Sequence, residues 1–166
     1  EAHAVLGPDP DLDGVDHLRI GTLSKYLGSL GGFVAGPRSF VDLLVNRARP
    51  FIFTTAGTPA DAAAGRAALA VLRSAEGAER VDRLRATVDL VQPGHPSPIV
   101  PIVMGDEAAA LTASAALRRR GLLVPAIRPP TVAPGTSRLR VSLSAAHSPA
   151  EVHALLAALE AVRGAP

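Results

Sequence analysis

The sequence contains no cysteine and no tryptophan, one methionine, and only 3% aromatic residues. Without cysteine, a disulfide scaffold, a thiolate metal site and a cysteine nucleophile are all excluded. With so few aromatic rings, any core must be built from alanine, valine, leucine and isoleucine. No apolar run reaches the roughly 18 residues needed to span a bilayer, and no signal-peptide pattern opens the chain, so a soluble, cytoplasmic protein with no membrane partner is expected. The balance of 17 basic against 15 acidic residues leaves a net charge of only +2. The one basic run, Arg118-Arg119-Arg120, stands just before Gly121, where it complements the negative end of a helix. A nucleic-acid surface is therefore not expected.

Hydrophobic residues make up 48% of the chain and charged residues 19%, enough for a packed core. Leu18–Thr22 and Gly31–Ala35 read as short strands flanking a Gly-punctuated turn. Pro37 suits the first turn of a helix to about Arg47, and Arg49–Thr55 reads as extended chain around a proline. Helices are expected over about Pro59–Ala75 and Ala78–Leu90. Pro93–Pro98 is a loop and the candidate joint between residues 1–92 and 93–166.

Beyond it come a strand at Ile99–Met104, a helix capped by Asp106 and stopped by Gly121, and a strand at Leu122–Ile127. A proline-rich loop, Pro129–Gly135, follows. Arg138–Leu143 alternates, with Leu139, Val141 and Leu143 on one side and Arg138, Arg140 and Ser142 on the other. Ser148-Pro149-Ala150-Glu151 is a capping box opening a last helix, with Val152, Leu155, Leu156 and Leu159 on one face. This order makes a small α/β layer.

Lys25 is the candidate for covalent chemistry. A lysine that forms a Schiff base is held at a turn, desolvated and free of a permanent carboxylate partner. In Thr22-Leu23-Ser24-Lys25 hydroxyls precede the amine, where they could bind a phosphate, and Gly28, Ser29, Gly31 and Gly32 let backbone approach a flat ring. Taken singly, this string reads more plainly as an exposed lysine on a Gly-rich turn. Thr54-Thr55 likewise reads as β-branched strand residues, Arg140 as an edge-strand arginine, and His3 as a surface histidine.

The segments occur in an order that changes this reading: Glu1-Ala2-His3, TLSKYLGSLGGFVAG (22–36), RPFIFTTA (49–56) and IRPPTVAPGTSRLRVSLSAAH (127–147). Together they resemble the α-oxoamine synthases, a branch of the fold-type I pyridoxal-phosphate enzymes. Within that branch the IRPPTV loop is most similar to the 8-amino-7-oxononanoate synthases of biotin synthesis. The resemblance covers the C-terminal half of such enzymes. It implies a remnant of the large cofactor domain over 1–92, followed by a small α/β domain over 93–166.

The resemblance also implies the roles. Lys25 matches the lysine that holds pyridoxal 5'-phosphate and abstracts the α-proton, Thr22 a phosphate ligand, and His3 the histidine that hydrogen-bonds the ring hydroxyl. Thr54 and Thr55 match the pair that reaches the neighbouring subunit's phosphate, which implies a homodimer with shared sites. Arg140 matches the arginine that pairs with the amino acid's carboxylate, and Arg128 and Thr131 would face substrate or product carboxylates.

The implied reaction condenses L-alanine with pimeloyl-CoA or its carrier-protein equivalent. Sister enzymes using glycine or serine, and a non-catalytic interaction subunit, are the alternatives. The carboxylate expected to face the ring nitrogen would precede Glu1, so the chain reads as part of a longer enzyme, unable to complete the reaction alone. His17, His95, His147 and His153 have no metal-ligand spacing, and no metal is expected. His147 reads as a structural residue before the last helix.

Overall fold

The computed structural model describes residues 18–163, which divide into two compact units meeting between Ala78 and Glu79. This division by packing falls inside a helix. The joint read at Pro93 is a different one, between a cofactor domain and a small domain, and stands as a proposal.

In the first unit, β1 (Arg19–Thr22) and β2 (Gly32–Ala35) form an antiparallel two-stranded ribbon. Ile20 pairs with Val34 and Gly21 with Phe33. A Cβ on Gly21 would strike the Phe33 ring, so glycine is what lets that ring lie across the ribbon. Helix α1 (Arg38–Arg47) follows, with Pro37 one residue earlier than expected, at the N-cap. An Arg38–Asp42 pair at 2.8 Å staples its first turn.

The segment read as extended is not. Arg49–Ile52 forms a short helix, α2, with Pro50 in its first turn. Proline's fixed φ favours that position, and its effect on the preceding residue falls on Arg49, whose extended role is taken instead by Ala48 at the N-cap. Thr54 and Thr55 therefore lie in irregular chain after a helix, not in a strand.

Helix α3 (Pro59–Leu72) is capped by Thr58, whose hydroxyl accepts from the Asp61 N–H at 3.1 Å. It stops earlier than read, and α4 (Ala75–Val91) starts earlier. Ser74 fixes the break: its hydroxyl donates to Val71 O at 2.7 Å and accepts from Gly77 N at 3.3 Å, closing one helix and opening the next.

In the second unit, β3 (Ile99–Gly105), β4 (Ala126–Ile127) and β5 (Ser137–Ser142) form a three-stranded sheet in the order β3-β5-β4, antiparallel throughout. β5 is central, and Pro101 sits in the edge strand β3, where its missing N–H breaks no central ladder. Helix α5 (Glu107–Arg119) packs on the sheet and against α6 (Pro149–Arg163). Asp106 caps α5, its carboxylate accepting from Ala109 N at 2.8 Å.

Leu122–Ile127 reads as a strand in the sequence, but only Ala126–Ile127 pairs. Leu122 N instead bonds back to Leu117 O at 3.0 Å, finishing the turn at Gly121 (φ 79°), and Pro125 has no N–H to give. The core joins Val88, Val100, Ile102, Ala113, Leu117, Val124, Leu139, Val141, Leu143, Leu155, Ala158 and Leu159. It is wholly aliphatic, as the aromatic shortage requires. The capping box is present: Glu151 accepts from Ser148 N at 2.7 Å and Ser148 Oγ at 2.8 Å.

Candidate functional site

Lys25 sits in the connection between β1 and β2. Gly28, at φ 57°, turns the chain there, and its N–H bonds to Lys25 O at 3.0 Å. The connection is pinned at both ends, by Leu23 N to Gly31 O and by Ser29 N to Leu23 O, each 2.9 Å. Leu27 is its one buried anchor, and Ser29 Oγ ties it to α3 through Asp61 O at 2.6 Å. Gly65 of α3 lies under Ser29, where an added Cβ would be 3.6 Å from Ser29 Oγ, in ordinary contact.

A fixed loop thus carries an exposed amine. Among the described residues nothing hydrogen-bonds or ion-pairs with Lys25 Nζ. Upstream, the Thr22 and Ser24 hydroxyls are 2.7 Å apart, and Thr22 Oγ1 also accepts from Ser24 N at 3.3 Å. The structure therefore brings the Thr22 and Ser24 hydroxyls together, immediately ahead of Lys25 in the chain. Thr54 and Thr55 are exposed after α2, and their only mutual bond is a long one, Thr54 Oγ1 to Thr55 O at 3.5 Å. His3 lies outside the described residues.

In the second unit, β5 presents Arg138 and Arg140 on the face opposite its buried Leu139 and Val141. The two arginines differ. Arg138 Nε donates to Thr136 O at 2.9 Å, whereas the exposed Arg140 guanidinium has no partner among the described residues. The Arg140 backbone is held by Pro125 O at 2.9 Å and by its pairing opposite Pro101.

Arg128 and Thr131 share one turn, Thr131 N bonding to Arg128 O at 3.0 Å. Arg128 Nη1 meets Glu107 Oε1 at 2.8 Å, with both side chains about half exposed (50% and 46%). Sequence reading missed Glu107. Its only signal was an acid in the first turn of a helix, and nothing local announces a partner across the intervening chain.

Two other histidines make local contacts with backbone. His147 Nδ1 accepts from Ser144 N at 3.1 Å just ahead of the α6 cap, the structural role expected of it, and His95 Nε2 lies 3.0 Å from Ile99 O. Among the described residues no three His, Asp or Glu side chains form a metal-binding group, and no helix is long and apolar enough to cross a membrane.

Known proteins place these residues in a wider frame. The sequence profile for aminotransferase class I and II matches residues 1–159. An 8-amino-7-oxononanoate synthase from Anaeromyxobacter dehalogenans strain 2CP-1 is 50% identical over 182 residues, covering 98% of this chain but 45% of that protein. This chain thus spans less than half the length of that curated relative. It corresponds to its C-terminal part.

Among solved structures, serine palmitoyltransferase from S. paucimobilis, solved with bound PLP and myriocin, superposes with a TM-score of 0.78 at 29% identity, over 87% of this chain and 39% of that one. The 8-amino-7-oxononanoate synthase of Francisella tularensis does so at 0.72 and 23% identity, over 87% and 44%, and shows the fold alone. The architecture is the α/β fold of the fold-type I PLP-dependent enzymes. With the profile matched along nearly its full length, the chain belongs to the aminotransferase class I and II family.

Proposed function

We propose that this chain is the C-terminal part of an α-oxoamine synthase of biotin synthesis. The enzyme would condense L-alanine with a pimeloyl thioester to give 8-amino-7-oxononanoate, carbon dioxide and the free thiol. The observation that carries this reading is Lys25: an amine with no partner among the described residues, on a pinned loop directly after two neighbouring hydroxyls. The donor set fits pyridoxal 5'-phosphate, since an amine suits its aldehyde and hydroxyls with an adjacent N–H suit its phosphate. When bound, the cofactor supplies an electron sink for the charge left on the amino acid's α-carbon.

The chain's own residues supply the rest. Lys25 would hold the cofactor through Nζ, and the same amine would take the α-proton of the amino acid. Thr22 binds the phosphate, and Thr54 and Thr55 reach the phosphate of a second subunit, so the working form is a homodimer. His3 donates or accepts at the ring hydroxyl.

Arg140 binds the amino acid's carboxylate. A guanidinium suits this because its fork matches two carboxylate oxygens and stays charged throughout. Arg128 and Thr131 face the carboxylate of the acyl chain or product. The small, soluble substrates are consistent with a cytoplasmic enzyme.

The test is reductive trapping. The purified chain is mixed with pyridoxal phosphate, reduced with borohydride and mapped by mass spectrometry. Selective labelling of Lys25, lost in Lys25→Ala, is expected. Lys25 is the sole lysine of the chain, so the comparison is with the α-amino group of the purified chain, and equal labelling of the two amines would overturn the assignment of Lys25.

A further inference from the structure

Glu107 and Arg128 belong to the same unit and are held very differently. Glu107 is the first residue of α5, directly after the Asp106 cap, and that helix is seated by its buried Ala110, Ala113 and Leu117. Its backbone is therefore fixed. Arg128 follows β4, in the turn that the Thr131 N–H closes and that Pro129 and Pro130 stiffen. The loop backbone is constrained, but a long arginine side chain at its surface has many rotamers open to it.

The contact between the two uses one nitrogen of the guanidinium. Arg128 Nη1 donates to Glu107 Oε1 at 2.8 Å, and among the described residues neither Nη2 nor Nε of Arg128 has a partner. An arginine that serves a carboxylate only as its counterion frequently takes it through two parallel bonds. Here a single bond leaves the Nε–Nη2 edge, a two-donor fork, open on a half-exposed side chain. That fork matches both oxygens of another carboxylate. The exposed Thr131 hydroxyl, also without a partner among the described residues, belongs to the same turn.

Charge decides whether Glu107 helps or hinders such a ligand. A second carboxylate on the open edge touches the guanidinium and has Glu107 on the far side of it. Attraction to the nearer charge exceeds repulsion from the farther one, and water screens the longer distance more. What Glu107 adds is therefore orientation, and one bond of a half-exposed pair biases the guanidinium rather than locks it.

We propose that Glu107 is a positioning residue for Arg128, holding Nη1 from the fixed end of α5 so that the Nε–Nη2 edge is presented to the carboxylate that ends the acyl chain. This rests on the functional reading above for the identity of that carboxylate. It concerns binding at Arg128 and requires neither cofactor nor turnover.

The experiment titrates pimelate, the free dicarboxylate, into the purified full chain and follows the Arg128 Nε–Hε signal by NMR, identified by its loss in Arg128→Lys. In the unaltered chain the signal should move to saturation. Glu107→Ala is expected to weaken binding about threefold or more, the effect of having to immobilise one long side chain on binding. Glu107→Gln keeps the acceptor oxygen and removes the charge, so it should bind at least as tightly as the unaltered chain. Urea midpoints check that every variant folds.

Glu107→Ala binding pimelate as the unaltered chain does would make the pair an idle surface contact, and tighter binding would make Glu107 a rival carboxylate; either overturns the proposal. So does a Gln variant as weak as the Ala variant, or an Arg128 signal indifferent to pimelate. The functional reading fails separately: pimelate bound under the control of Glu107, with no pyridoxal phosphate trapped at Lys25, would sink the enzyme and leave the positioning role standing.

Discussion

Arg128 donates to Glu107 at 2.8 Å, joining the loop after β4 to the first turn of α5. Both side chains are half in water, so the pair is weakly held and available to exchange partners. Glu107→Gln is expected to change the unfolding free energy by about 1 kcal/mol or less. Urea denaturation measures this. A loss of several kcal/mol would mean that the guanidinium is committed to the fold and cannot serve a substrate carboxylate.

Arg140 and Arg138 face the same way from β5, but among the described residues only the Arg138 guanidinium is engaged, by Thr136 O. In a chimera joining this chain to the N-terminal part of its A. dehalogenans relative, Arg140→Ala should lower kcat/KM by about 30-fold or more, since losing one partner of a charge-assisted pair costs about 2 kcal/mol or above. Arg138→Ala should lower it much less. Steady-state kinetics with varied amino acid decides, and equal losses would remove Arg140 from the carboxylate role.

Leu139 is completely buried, paired across β5 with Ile102 on one side and Ala126 on the other. Leu139→Ala is expected to cost about 2–5 kcal/mol, through lost transfer energy and the cavity left behind. Two residues earlier, the Ser137 hydroxyl is buried with no hydrogen-bond partner among the described residues. Ser137→Ala should be neutral or stabilise by about 1 kcal/mol. Denaturant midpoints test both, and a strongly destabilising Ser137→Ala would reveal a partner for that hydroxyl.

The pKa of Glu151 is lowered below the usual glutamate value, chiefly by the backbone N–H of Ser148, then by its hydroxyl, with a smaller pull from His147. A depressed acid contributes stability that is fully present above its unfolded pKa, about 4.3. That contribution is lost as pH falls through the lowered folded value. Acidification through this window should therefore fray the start of α6, and Glu151→Gln should remove this part of the acid response. Identical helix signals from the two proteins across the titration would contradict the assignment.

What the sequence made legible, and what it hid, follows from the range of the forces involved. The Asp106 and Ser148 caps, the stop at Gly121 and the alternation through Leu139 and Val141 depend on neighbours within a few residues, and all are found where the pattern put them. The misreadings came where one residue had two local uses. Pro50 favours extended chain before it and helix after it, and the helix prevailed at Arg49–Ile52. Leu122 and Leu123 read as strand, but Leu122 is used to finish α5, and Leu123, 80% exposed, joins no ladder.

In the candidate site, the Thr22–Ser24–Lys25 cluster was legible because its members are adjacent. Glu107 was not, because its partner is brought near only by tertiary packing.

The alternation of β5 has a consequence for any variant of this protein. Leu139 and Arg140 are consecutive, one sealed in the core and the other presented on the open face. A slip of one residue would exchange them, putting a guanidinium into the aliphatic interior and a leucine on the open face. Correct folding and correct equipment for chemistry are thus one event at this strand. A preparation that hides Leu139 from solvent has already turned Arg140 to the open face, so an exchange probe of the core also reports where that guanidinium stands.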